Sequence, residues 1–406
     1  MQTKKRKSPS LRFRGYTDDW EERKLGDSVA LFGGNSFKSQ DAVNDGVKWL
    51  KIANVGIGLL KWGEQSYLPE FFLEKYPSYV LNIGDYVMAL TRPILNHELK
   101  IAEVNESNIL LNQRVAKLDF KVNKSFGYQL LRKRDVIDFI ESELSGTDPP
   151  NLSSKILDNI LVNLPSTDEQ QKIGTFFKQL DNTIALHQRK LDLLKEQKKG
   201  FLQKMFPKNG AKVPELRFAG FADDWEERKF SDLYKKNLER NKDHFSSDRT
   251  ISIATMRFKE EGNGAAENSL TSYKVLREGD VAFEGHTSKR FAFGRFVLND
   301  IGDGIMSPRF TTLRPTEDMP ITFWKQYIHY EPIMRYPIVN STKLGTMMNE
   351  LVVDEFLNQH ILVPELSEQE KIGSFFKAID NTIALHQRKL DLLKEQKKGY
   401  LQKMFV

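Results

Sequence analysis

The chain has 406 residues, of which 39% are apolar, 29% charged and 11% aromatic, a globular composition too long for a single ordinary core. It contains no cysteine, which excludes disulfides and thiolate metal sites, and its seven histidines form no HExxH-type ligand pair. The net charge of +6 suggests a polyanionic partner only until it is located, because the first ten residues and two segments described below carry more positive charge than that. Everything else is net negative.

The start, MQTKKRKSPS, is a basic tail without the apolar core of a secretory signal. No run of about 18 apolar residues exists anywhere, so no membrane span is expected. From Leu11 the chain reads LRFRGYTDDWEERKLGD, which returns from Leu216 as LRFAGFADDWEERKFSD, identical at 12 of 17 positions. Such an opener, repeated, marks two related domains rather than one large one.

The first body follows. Short β-like runs such as KWLKIANV and SYVLNI alternate with Gly, Asn and Asp, and YVLNIGDYVMAL around Gly84-Asp85 predicts strand, turn, strand. Its candidate nucleic-acid contacts are Lys48, Lys51, Lys61 and Trp62, with Arg92 and Lys100 beyond the Gly-Asp turn. Cations of this kind suit phosphates. Asp148-Pro149-Pro150-Asn151 resembles the motif by which amino-methyltransferases hold a base, but its fourth residue is not aromatic and no Gly-rich methyl-donor loop precedes it. It is read as a Pro-rich turn.

After Pro165 begins the segment EQQKIGTFFKQLDNTIALHQRKLDLLKEQKKGFLQKMF, starting at Glu169. It recurs from Glu368, after Pro364, with five differences in 38 positions. These are the two basic segments, with net charges of +4 and +3. Thr167 with Gln170, and Ser367 with Glu370, have capping-box spacing. In the first copy the apolar positions fall alternately four and three apart: Ile173, Phe177, Leu180, Ile184, then Leu191 and Leu194, with His187 and Lys198 on the same line. The second copy repeats this as Ile372, Phe376, Ile379, Ile383, then Leu390 and Leu393, with His386 and Lys397. That is a coiled-coil seam. The copies are natural partners, and an antiparallel pair in full overlap sets His187 near Leu390 and His386 near Leu191. Thirty-eight helical residues span roughly 57 Å, about 17 base pairs of duplex.

The second body repeats the frame with other contents, including YKVLREGDVAFEG around Gly279-Asp280. Its densest candidate contact is His286-Thr287-Ser288-Lys289-Arg290, followed by Arg295 and Arg309. The run combines phosphate-type cations with groups able to hydrogen-bond base edges. Nowhere does the chain carry a phosphate-binding G-x-x-x-x-G-K-[ST] loop or a legible Ser/His/Asp set. Glu196-Gln197-Lys198 has the ending of a nuclease signature, but it lies on the repeated helix among ordinary surface charges. No active site and no metal site are expected.

The resulting expectation is an α+β chain: two pseudo-symmetric α+β domains separated by a pair of long helices forming an antiparallel coiled coil. The bounds are 1–164 for the first domain, 165–207 for its helix, 208–363 for the second domain and 364–406 for its helix. The residues alone leave two readings open, a DNA reader and a coiled-coil adaptor or scaffold that binds no nucleic acid. With its duplicated EQ-x-K-I-G-x-F-F…QRKLDLLKEQKKG-x-LQ-x-x-F helix after a proline, the chain resembles HsdS, the DNA-specificity subunit of type I restriction-modification systems. The resemblance covers the whole chain. It implies a non-catalytic, cytoplasmic, bacterial or archaeal protein whose two target-recognition domains each read half of an asymmetric bipartite site in double-stranded DNA. It also implies methyltransferase (HsdM) and translocase-nuclease (HsdR) partner subunits, with S-adenosylmethionine, ATP and magnesium bound by those partners and no cofactor by this chain.

Overall fold

The computed structural model describes all residues except 1–7, 64, 147, 209, 243–244, 260, 263, 265, 289–290 and 347. The chain forms two compact units, Met1–Gln188 with Arg388–Val406, and Arg189–Gln387. The two long helices, Thr167–Met205 and Leu366–Met404, therefore contribute residues to both units. The fold class is α+β, and among the described residues no helix is long and apolar enough to cross a membrane.

Both units are built on one plan. The opener's EERK forms a strand that pairs antiparallel with the strand preceding each long helix: Glu21–Lys24 with Leu161–Leu164, and Glu226–Lys229 with His360–Val363. One helical turn follows, Leu25–Ser28 or Phe230–Leu233, and leads into the edge of a four-stranded antiparallel sheet. In unit 1 that sheet runs Val29–Gly33, Val115–Phe120, Tyr86–Ala89, Ile101–Glu103. In unit 2 it runs Tyr234–Lys236, Thr311–Pro315, Val281–Glu284, Arg295–Leu298. The strand order is the same although the sequences are unlike.

The two Gly-Asp motifs are the same turn. Gly84 and Gly279 adopt φ of +84° and +92°, which a side chain would strain. Asp85 and Asp280 each accept a hydrogen bond from the backbone N–H three residues earlier, Asn82 and Arg277, at 2.9 and 2.8 Å. Beyond the shared sheet the bodies part. Unit 1 adds a second four-stranded sheet ordered Tyr67–Leu68, Val47–Leu50, Ile109–Leu111, Val80–Leu81, where among the described residues unit 2 has two-stranded pairs.

The expected helix caps need a correction. Thr167 and Ser367 lie inside the first turn rather than before it. Gln170 and Gln369 send their side-chain amides back to the carbonyls of Pro165 and Pro364, both at 2.9 Å, which fixes the helix start earlier than the capping-box spacing implied. In the first helix Ser166 supplies the cap, accepting the backbone N–H of Glu169 on its Oγ.

Within each unit the helix segments run antiparallel. Phe176 meets Tyr400 and Asp181 pairs with Lys397 in unit 1, while Phe201 meets Phe375 and Lys198 pairs with Asp380 in unit 2. In this register position 187 falls opposite 390 and position 191 opposite 386, and Leu191 and Leu390 are fully buried. Ile173, Phe177, Ile372, Phe376 and Leu393 are also buried; Leu180, Ile184, Leu194, Ile379, Ile383 and both seam histidines are half-buried. No break occurs at Gly200 or Gly399, because the seam continues to Met205 and Met404.

An aromatic group at each helix end repeats too. Trp20, Phe126 and Phe405 pack with centroids 5.2–6.2 Å apart in unit 1. Phe206, Trp225 and Phe323 pack at 6.0–6.4 Å in unit 2. Phe177 and Phe376 complete the two groups. Burying each such ring contributes on the order of 1.5–3 kcal/mol. This explains why the repeat extends to LQKMF rather than ending at Gly200 and Gly399.

Candidate nucleic-acid interface

In unit 1 the suggested residues gather into two clusters. Lys48 lies on the strand Val47–Leu50, with its ammonium 4.8 Å from the centre of the Trp62 ring and in an ion pair with Glu106. Lys51 sits 3.9 Å over Trp49 and donates to Ser66 Oγ at 2.9 Å. The buried Asn54 ties this corner together, accepting from Lys51 N–H and donating to the Lys61 carbonyl. Lys61 itself is exposed. The cluster thus offers Lys51 and Lys61 beside a half-buried indole, while Lys48 is already paired.

Arg92 and Lys100 form the other cluster. Arg92 is exposed with a left-handed φ of +49°, held by a hydrogen bond from its N–H to the Pro150 carbonyl at 2.8 Å. The Pro-rich turn 148–151 therefore has a structural use, and Thr91 also bonds Asn151. Lys100 is half-buried, and burial, then the Arg92 charge, lowers its pKa. Neither cation has an ion-pair partner among the described residues.

In unit 2, His286, Thr287 and Ser288 are exposed directly after the strand Val281–Glu284. Lys289 and Arg290 lie outside the described residues. Ser288 closes a small turn with Phe291 through two hydrogen bonds of 3.1 Å. Arg295 is not a free cation: it faces Glu284 across the strand pair and bonds it at 2.7 Å. Arg309 is exposed, 4.7 Å over its neighbour Phe310.

Several charged groups escaped the sequence reading. Arg277 and Arg314 form a network with Glu239, Asp280 and Asp303, in which Asp280 is almost fully buried. Hydrogen bonds from Arg277 and Arg314 outweigh burial and hold Glu239 below the usual carboxylate range; for Asp280 burial prevails and raises it. This network braces the Gly-Asp turn. Beside it Lys236, Arg240 and Lys274 are close enough for their charges to interact. The basic run KKNLERNK from Lys235 was the available signal for them. Among the described residues no group of three or more His, Asp or Glu is arranged to hold a metal.

Two units with one sheet order, one opener and one shared pair of helix segments, but unlike outer loops, define a duplicated domain in which a constant frame carries variable surfaces. The family model for the type I restriction modification DNA specificity domain matches twice, at residues 17–196 and 222–395, and the chain belongs to that family. It is 37% identical over 188 residues to the MjaVIII type I restriction enzyme specificity subunit of Methanocaldococcus jannaschii, covering 45% of this chain and 44% of that protein. It is 32% identical over 173 residues to the EcoAI specificity subunit of Escherichia coli, 41% of this chain and 29% of that protein. The chain thus spans less than half the length of these two curated relatives. The MjaIX specificity subunit of M. jannaschii is 20% identical over 410 residues, 95% of this chain and 92% of that protein. The crystal structure of a type I restriction-modification S subunit from M. genitalium has the same fold, with a TM-score of 0.64 at 12% identity over 98% of this chain and 99% of that one.

Proposed function

We propose that the chain is the non-catalytic, sequence-specific DNA-recognition subunit of a cytoplasmic type I restriction-modification complex. Each unit reads one half of an asymmetric bipartite site, and the paired helices set the separation of the halves and dock methyltransferase subunits. Translocase-nuclease subunits complete the assembly, and S-adenosylmethionine, ATP and magnesium belong to those partners. The observation that carries this reading is the family match occurring twice, on one frame whose two outer surfaces differ. A coiled-coil adaptor that joins two proteins would suit the helices equally well, but it does not account for two matches to a DNA specificity domain.

Exposed leucines support the docking. Leu186 and Leu193 on the first helix, and Leu385 and Leu392 on the second, lie off the seam and are 46–67% exposed. Apolar side chains recurring at heptad spacing on an outer helix face suit a protein partner. The test is co-expression with the methyltransferase subunit, followed by sequencing of modified bases. One bipartite motif should be methylated throughout, and exchanging one body should change one half of it. Methylation without a bipartite motif would refute the reading.

A further inference from the structure

The exposed edge of unit 2 beside its Gly-Asp turn carries cations that form no ion pair among the described residues. Residues 237–241 run alongside 273–275, tied by hydrogen bonds from Val275 N–H to the Glu239 carbonyl and from Asn241 N–H to the Tyr273 carbonyl, and by the Arg240–Lys274 bridge. The buried side chain of Asn237 anchors the stretch by donating to the Val275 carbonyl at 2.7 Å. Alternate side chains therefore separate. Asn237 and Glu239 turn inward, Glu239 to Arg277 and Arg314, while Lys236, Leu238 and Arg240 are exposed. Lys274 lies next to them, its ammonium bonded to the Phe310 carbonyl, which brings Arg309 into the same neighbourhood.

None of Lys236, Arg240, Lys274 and Arg309 has a carboxylate partner among the described residues. The nearby acids Glu239, Asp280 and Asp303 are already held by Arg277 and Arg314. Burial is the main cause that pushes Lys274 down to about 8, and the charges of Arg240 and Lys236 add to it. In their midst Leu238 is 70% exposed, an unusual place for a large apolar side chain on a charged edge.

We propose that this edge grips the backbone of one DNA half-site. Lys236, Arg240, Lys274 and Arg309 contact successive phosphates, and Leu238 faces the base edges between them, where an apolar group can meet a thymine methyl. The proposal rests on the DNA-recognition reading above. The unit 1 residues that match 236–240 at the opener's offset of 205, Leu31-Phe32-Gly33-Gly34-Asn35, carry no cation, so the edge described here belongs to the half-site of unit 2.

The experiment uses the full chain purified with its methyltransferase subunits. Fluorescence anisotropy measures binding to a duplex bearing the methylated motif and to a random duplex, over a series of potassium chloride concentrations. Lys236→Gln and Arg240→Gln, both at exposed positions, and Lys274→Met should each weaken binding several-fold on both duplexes. Each should lower the slope of log affinity against log salt by about 0.9 per lost phosphate contact. Leu238→Ala should leave the slope unchanged but reduce discrimination at one half-site only. Unchanged affinity and slope in folded variants, with the parent complex binding normally, would overturn the edge alone. A parent complex that binds neither duplex even at low salt would overturn both this proposal and the reading beneath it.

Discussion

Arg12 donates two hydrogen bonds, each 2.8 Å, to the carboxylate of Glu169, and the side chain of Glu169 is wholly buried. Arg217 and Glu368 make the same fork at 2.7 and 2.8 Å in the other unit. The neighbouring Leu11 and Leu216 donate their N–H groups to the carbonyls of Lys403 and Lys204. In each unit the opener thus clasps the start of one long helix and the end of the other. Glu169→Gln or Arg12→Ala leaves one buried group unmatched and should cost about 3–5 kcal/mol. The double variant Arg12→Met/Glu169→Leu should recover much of that, and thermal unfolding of the three proteins measures both effects.

Lys397 is only 6% exposed, and burial lowers its pKa to about 8 despite its ion pair with Asp181. In the unfolded chain a lysine titrates near 10.5. Between those values the unfolded state binds more proton, so stability should rise with pH from about 8 towards 10.5. Comparison with Lys397→Met isolates the effect: the stability difference should move in favour of the parent over that window. A pH-independent difference would contradict it.

His329 behaves in the opposite pH range. Burial is the main cause that lowers its pKa to about 4, and its Nε2 accepts the Leu298 N–H at 3.3 Å as a neutral ring must. Stability it contributes is complete above about 6.5 and is lost as pH falls towards 4, because only the unfolded chain takes up the proton. His329→Gln should flatten the acid limb of unfolding in that interval while changing little at pH 8.

Leu186→Asp and Leu392→Asp place charges at exposed helix positions, 67% and 46% accessible, so the fold should be retained. Co-purification with the methyltransferase subunit should fall sharply. Melting temperature and helical circular dichroism should stay at parent values. Full recovery of partner by the double variant would remove the leucines from the docking surface.

The long helices were readable from sequence because their information is local: apolar residues four and three apart decide the seam, and two copies agree. The Gly-Asp turns were readable for the same reason, since a left-handed glycine is needed on the spot. The charged surface was not. Arg295 looked free in sequence, yet strand pairing sets it opposite Glu284, eleven residues away. Lys236 and Lys274 lie 38 residues apart and become neighbours only through the Arg240–Lys274 bridge. The cap residues are not legible in the sequence because Gln170 reaches back five positions to Pro165, a contact absent from the capping-box pattern.

The pairs Asp181–Lys397 and Lys198–Asp380 lie wholly within stretches 181–200 and 380–399, which are identical in the two copies. Gln129 and Gln326 steady the two aspartates from the bodies at 2.8 and 2.9 Å. A crossover between gene copies anywhere in this stretch therefore regenerates the residues of both ion pairs. The joint survives the exchange without repair. A lineage carrying such chains can acquire an unfamiliar body by inheritance of a fragment, and the newcomer meets a socket already cut to its neighbour's pattern.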